Sequence, residues 1–158
     1  MISAVWTVLR SLFVATTFFL FFDAHGQIVL QDDLQRTVTL PAPARRVVSL
    51  APSVTETLFA IGAGDQVVGV TDYCNYPPEA QRKQRVGGII NANIEAIVSL
   101  KPDLILMSME GNVRTDFDRL TALGIPVFVT NPRTLEDIFS SIHRIGQLTG
   151  KRDSAQRL

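Results

Sequence analysis

Four short apolar runs constrain this chain more than anything else in it: VVSL (Val47 to Leu50), VVGV (Val67 to Val70), LILM (Leu104 to Met107) and VFVT (Val127 to Thr130). Each is continuous rather than alternating, so each needs cover on both faces, the condition of a strand inside a parallel sheet. The segments between them carry helix signals. Ser53-Val-Thr-Glu56 reads as a capping box. Asn93 stands before IEAIVSL, Asn112 before a helix through DRLTAL, and Thr134 with Asp137 repeats the cap logic. Leu135, Ile138, Phe139, Ile142, Ile145 and Leu148 make one apolar stripe on the last helix, with Gly146 and Gly150 near its end. Alternating strands and helices imply right-handed crossovers and an α/β fold with a doubly wound, mainly parallel sheet flanked by helices. Ahead of the first run, QIVLQDDLQRTVTL (Gln27 to Leu40) alternates weakly around a polar break and suits an edge hairpin over 27–45.

The stretch AIGAGDQVVGV (Ala60 to Val70) looks like half of a dinucleotide fingerprint. In such a site the glycines follow a strand and open a helix, so that the pyrophosphate meets free amides. Here Gly62 and Gly64 follow a helical segment and lead into a strand, and Val67 occupies the place of the third glycine. They are therefore helix-end and turn glycines.

Residues 1–26 read as a secretory leader: a positive charge at Arg10, an unbroken apolar run from Leu12 to Phe22, then Ala24 and Gly26 at an A-x-G cleavage site. The run is well short of the ~20 residues that span a bilayer. The chain is therefore expected to be exported through a cleaved signal peptide. Fifteen basic and fifteen acidic side chains balance to a net charge of +0, with no basic run to neutralise phosphates, so nucleic acid is not an expected partner. The single cysteine, Cys74, cannot form an internal disulfide. It is read either as a small half-buried apolar residue or as one that pairs with a cysteine elsewhere or touches a metal.

In an open parallel sheet, function collects at the carboxyl ends of the strands. The loops there are APSVTE, with Pro52 and Ser53, then TDYCNYPPEA, SMEGN and NPRT. Tyr73 and Tyr76 with the proline pair offer flat, stiff surfaces suited to a large planar or macrocyclic ligand. Either tyrosine alone is equally well read as packing its loop onto the sheet. A hydrolase needs a nucleophile beside a positioned base, yet the only histidine after the leader, His143, lies on the last helix, and no G-x-S-x-G occurs. One imidazole is too few for a bare zinc or manganese receptor. No catalytic residues, metal ligands or cofactor of the protein's own are expected.

RVVSLAPSVTETLFAIGAGDQVVGVTDYCNYPPEA, VGG, NIEAIVSLKPDLIL and LGIPVFV, in this order, resemble the amino-terminal lobe of the periplasmic receptors for cobalamin, haem and ferric siderophores. These are the substrate-binding proteins of ABC importers whose two lobes are joined by one long helix. The resemblance implies an amino-terminal lobe over 46–150 and a protein that captures a metal chelate and hands it to a membrane permease without chemistry of its own. Tyr73 matches a ligand-contacting tyrosine of the cobalamin receptors, and Glu95 matches the glutamate with which that lobe docks on permease arginines. A plainer role for Glu95 is to complement a helix N-terminus, worth a few tenths of a kcal/mol. Ile89 and Ser108 stand where cobalamin receptors place tryptophans in the ligand loops. At KRDSAQRL, over 151–158, Asp153 or Ser154 is placed to cap the long connecting helix, and the second lobe does not appear: either the chain is a fragment or half the site is absent. A non-transport sensor or interaction module built on the same lobe is the alternative reading.

Overall fold

A computed structural model describes residues 26–158. The leader expected over 1–26 lies, apart from Gly26, outside the described residues. The elements are β1 (Ile28–Gln31), β2 (Thr37–Leu40), β3 (Val47–Ser49), α1 (Pro52–Ala60), β4 (Val67–Val70), β5 (Gln84–Arg85), α2 (Ile94–Ser99), β6 (Leu104–Ser108), α3 (Arg114–Ala122), β7 (Val127–Thr130), α4 (Leu135–Leu148) and α5 (Arg152–Gln156).

The five strands β5-β4-β3-β6-β7 form one parallel sheet in that order. All four apolar runs are strands of it, and their side chains divide between two cores. Val47, Leu104, Leu106 and Phe128 join Val54, Leu58, Ile145 and Leu148 of α1 and α4. Val48, Ile105, Met107, Val127 and Val129 join Ile97 of α2 and Phe117 and Leu120 of α3 on the other face. Continuous apolar strands and two helical layers are thus the same fact seen at two levels. β5 is only Gln-Arg, too short and polar to show in the hydropathy.

Helix ends agree with the sequence in part. Asn93 caps α2 by accepting from the Ala96 amide at 2.9 Å. Thr134 and Asp137 form a reciprocal capping box on α4, and the backbone amides of Arg133 and Thr134, then the Thr134 hydroxyl, hold the Asp137 carboxyl below the ordinary aspartate range. The Ser53–Glu56 box does not form. Pro52 takes the first helical position, where its missing N–H costs nothing, so α1 starts two residues earlier than a Ser53 cap would place it, after Ala51, without a side-chain cap. Asn112 does not cap α3 either, which starts after Val113. Nor do Asp153 or Ser154 cap α5, whose first turn follows Lys151.

Gly62 adopts φ +75° at the end of α1, as the turn reading requires. Gly64 opens a single 3-10 turn. At Gly146 the demand is space: a methyl group there would stand 2.5 Å from the Ala155 side chain, so α5 packs directly on the α4 backbone. The apolar stripe of α4 is only half used. Ile145 and Leu148 are buried, whereas Leu135, Ile138 and Phe139 are exposed.

The N-terminal hairpin forms its own two-stranded antiparallel sheet instead of extending the large one. Its turn nevertheless guards the open edge of β7. The Asp33 amide donates to the Val129 carbonyl at 3.0 Å, the Asn131 amide to the Asp33 carboxylate at 2.5 Å, and the Arg36 guanidinium to the Val127 carbonyl at 3.2 Å. Buried Asp32 organises this turn. One of its oxygens accepts from the Leu34 and Arg36 amides at 3.0 Å each, and the other pairs with the Arg36 guanidinium. A paired, covered edge strand cannot recruit another chain.

Asp32→Ala removes the buried acceptor of the Leu34 and Arg36 amides and leaves the half-buried Arg36 guanidinium without its carboxylate partner. Unfolding in urea should show a loss of about 2–4 kcal/mol. A loss below about 1 kcal/mol would mean that the edge does not depend on this carboxylate.

Candidate functional site: the carboxyl ends of the strands

From β3 the chain crosses outward to β4 and β5, then returns past β3 to build β6 and β7. The direction therefore reverses between β3 and β6, and ligand crevices form at the carboxyl ends beside such a reversal. Five loops meet there.

After β3, Pro52 is half-buried and Ser53 exposed on the first turn of α1. After β4, Tyr73 is 62% and Tyr76 64% exposed. Between them Cys74 is buried, not half-buried, with its sulfur 3.1 Å from the Thr71 hydroxyl and 3.2 Å from the Thr55 hydroxyl. Thr55 also donates toward Ser49 Oγ at 2.8 Å, so a small polar cluster underlies the loop. Arg85 adds hydrogen bonds to the Thr71 and Cys74 carbonyls at 2.6 and 3.0 Å. Tyr73 is thus displayed from a base that is tied down on both sides. Its ring lies beside the next loop: a methyl group at Gly88 would stand 3.7 Å from Tyr73 Cε2.

After β5, Ile89 is half-buried against Gly111, and Ile90 is 71% exposed. After β6, Ser108 is half-buried and Met109 49% exposed. After β7, Arg133 reaches Glu110 at 3.3 Å, a solvent-exposed pair of small energetic value. The structure therefore brings Pro52, Ser53, Tyr73, Ile89 and Ser108 to one end of the sheet, with Tyr76 on the same loop as Tyr73. A pocket of about 280 Å³ opens beside Ser108, lined by Met107, Met109, Val113 and Phe117. Ser108 is the only one of the sequence-predicted residues in that lining.

Sequence reasoning missed Ile90, Met109 and Asn112. The first two carried a signal, as large apolar side chains inside otherwise polar or glycine-rich segments. Asn112 carried a misleading one. Instead of capping a helix, its Nδ2 donates to the Leu50 carbonyl at 2.9 Å and the Ile89 carbonyl at 3.0 Å, while its Oδ1 accepts from the Ser108 amide at 2.8 Å. One amide side chain ties the loops after β3, β5 and β6.

Glu95 is exposed on the first turn of α2. That helix begins close to the strand ends, since the Asn93 amide donates to the Val86 carbonyl at 2.8 Å. His143 is exposed on α4. Among the described residues no group of three or more His, Cys, Asp or Glu is placed to hold a metal ion, and no helix is long and apolar enough to cross a membrane.

The family model described as periplasmic binding protein matches residues 47–158. The chain belongs to this family. A vitamin B12-binding protein of Yersinia pestis (strain Pestoides F) is 40% identical over 121 residues, which cover 76% of this chain and 43% of that relative. The crystal structure of the periplasmic vitamin B12 binding protein BtuF of Vibrio cholerae is 36% identical with a TM-score of 0.69, over 73% of this chain and 45% of that one. The periplasmic heme-binding protein RhuT of Roseiflexus sp. RS-1 is 30% identical with a TM-score of 0.65, over 72% and 44%. The chain spans less than half the length of these relatives and forms one lobe of a two-lobed architecture. In this periplasmic binding protein lobe, Asn112 fixes the loops that carry Pro52, Ser53, Ile89 and Ser108, while Arg85 and the Thr55–Cys74–Thr71 cluster hold the loop of Tyr73 and Tyr76.

Asn112→Ala should lower stability by about 1–3 kcal/mol, the range for leaving buried partners unsatisfied. Asn112→Asp should be worse than alanine, because a carboxylate is acceptor-only and would face the Leu50 and Ile89 carbonyls. Urea unfolding of both variants orders them. Wild-type stability in the aspartate variant would contradict this role.

Proposed function

We propose that this lobe belongs to the substrate-binding component of an ABC importer, which works in the periplasm and delivers a metal chelate to a membrane permease. The chelate is cobalamin, haem or a ferric siderophore. The observation that carries this reading is the exposed apolar and aromatic floor at the strand ends, formed by Tyr73, Ile90 and Met109 on loops anchored by Arg85 and Asn112. Exposed apolar side chains gathered on rigid loops mark a binding surface. The named vitamin B12 and heme binders among the relatives support the same ligand class.

In this reading the protein does no chemistry and needs no cofactor of its own. Tyr73 supplies a ring face for the chelate, with Pro52, Ser53, Tyr76, Ile89 and Ser108 as further contacts. Ile89 and Ser108 offer less aromatic surface than tryptophans at those places, so Tyr73 and Tyr76 carry the stacking. Glu95, exposed on a short helix beside the floor, is the carboxylate that meets permease arginines. The long helix that joins the two lobes starts at α5.

Calorimetric titration with cyanocobalamin, haemin and a ferric siderophore separates the three ligands. For the one that binds, Tyr73→Ala should weaken affinity by about 1 kcal/mol or more, roughly fivefold, and Tyr73→Phe by less, because stacking needs the ring and not the hydroxyl. Equal losses in the two variants would assign the contact to the hydroxyl. No loss in either would remove Tyr73 from the site.

A further inference from the structure

Asp116 is a buried carboxylate that the ligand floor does not use. It sits in the first turn of α3 and is only 5% exposed. Its Oδ2 accepts a hydrogen bond from the Ala92 amide at 3.1 Å. Ala92 closes the loop after β5: it forms an antiparallel bridge with Gly87, and the next amide, Asn93, bonds back to the Val86 carbonyl at 2.8 Å. Two residues beyond Asn93 stands Glu95.

The geometry of α2 makes this anchor matter. A helix of six residues is far too short to hold itself, because nucleation is costly and isolated helices below about 12 residues are marginal. Its own supports are the Asn93 cap, the buried side chain of Ile97, and Ile94 and Ala96, which pack partly buried against the core. The entry to the helix is also tied by the Asn93 amide to the Val86 carbonyl, and side chains from further along the chain add two bonds: Asp116 to the Ala92 amide, and Asn112 to the Ile89 carbonyl. Asn112 also serves the ligand floor. Asp116 serves only the entry to α2.

We infer that Asp116 is a positioning residue for permease docking: by fixing the start of α2, it holds the Glu95 carboxylate in one place relative to the ligand-binding floor. This rests on the reading of Glu95 as the docking carboxylate. An exposed glutamate has many rotamers but a short reach, so the direction of its helix decides where its charge lies when the permease arrives. Loosening the anchor therefore weakens docking while the ligand contacts on the other loops persist. Asparagine at 116 keeps an acceptor for the Ala92 amide, and alanine does not.

Two experiments test it. In the 158-residue chain, amide hydrogen exchange should be at least about fivefold faster at Ala96 and Ile97 in Asp116→Ala, with Leu104 to Ser108 unchanged, and near wild type in Asp116→Asn. Unchanged exchange in α2, or equal acceleration everywhere, overturns the anchoring role. The second uses the receptor as its gene encodes it, with cyanocobalamin, haemin and a ferric siderophore supplied in turn and both Kd and uptake measured for wild type, Asp116→Ala, Asp116→Asn and Glu95→Lys. Uptake should fall several-fold in Asp116→Ala with Kd changed far less, recover in Asp116→Asn, and fail in Glu95→Lys. Normal uptake in Asp116→Ala beside failure in Glu95→Lys overturns the inference alone. Normal uptake in Glu95→Lys overturns the docking reading beneath it, and binding of none of the three probes by the wild type counts against the receptor reading itself.

Discussion

The Asn112 side chain makes three hydrogen bonds, and they tie together the loops at the carboxyl ends of β3, β5 and β6. Parallel strands end together, so their last carbonyls and amides crowd into a region where the chain also turns away into helices. Those polar groups need partners, since an unpaired buried one costs about 1–3 kcal/mol. Asn112 supplies two donors and one acceptor at the reversal between β3 and β6, meeting Leu50, Ile89 and Ser108 at once. Together with the Thr55–Cys74–Thr71 cluster and Arg85, it holds the four loops after β3, β4, β5 and β6 as one floor. A rigid floor loses little conformational freedom when a ligand arrives, which is where affinity is otherwise lost.

The same logic explains the other end of the polar inventory. Asp32 and Asp33 sit in the hairpin turn, far in sequence from β7, and satisfy its open edge. The lobe therefore solves two problems with side-chain amides and carboxylates: closing a sheet edge and fixing loops at strand ends. Neither solution adds apolar burial. The burial comes from the strands and helices alone, in two cores on opposite faces of the sheet.

Legibility in the sequence followed the range of each interaction. VVSL, VVGV, LILM and VFVT announced a sheet covered on both faces, because continuous apolar runs have few other uses. Thr134 with Asp137 and Asn93 were readable because a cap is completed within three residues. The Ser53–Glu56 box failed for an equally local reason: Pro52 competes for the helix start and wins by fixing φ. Asn112 was misread because its partners Leu50 and Ile89 are distant in sequence, so nothing local distinguishes a loop clamp from a cap. β5 left no hydropathic trace at all, being held by backbone pairing to Gly69 and Val70. The gathering of the strand-end loops at one end of the sheet was legible from topology, while the exposure of Ile90 and Met109 emerged only in three dimensions.

Perturbation of backbone amide resonances on adding ligand tests the central claim most directly, since it asks which surface is used without assuming any one contact. Labelled chain is titrated with cyanocobalamin, haemin and a ferric siderophore, each in turn. For the ligand that binds, shifts or broadening should concentrate at residues 51–53, 72–76, 87–91 and 108–112, with the far ends of the strands unaffected. Perturbations gathered instead at the start of the strands, around residues 43–47 and 101–104, or on the exposed face of α4, would contradict the assignment of the carboxyl-end loops as the ligand floor.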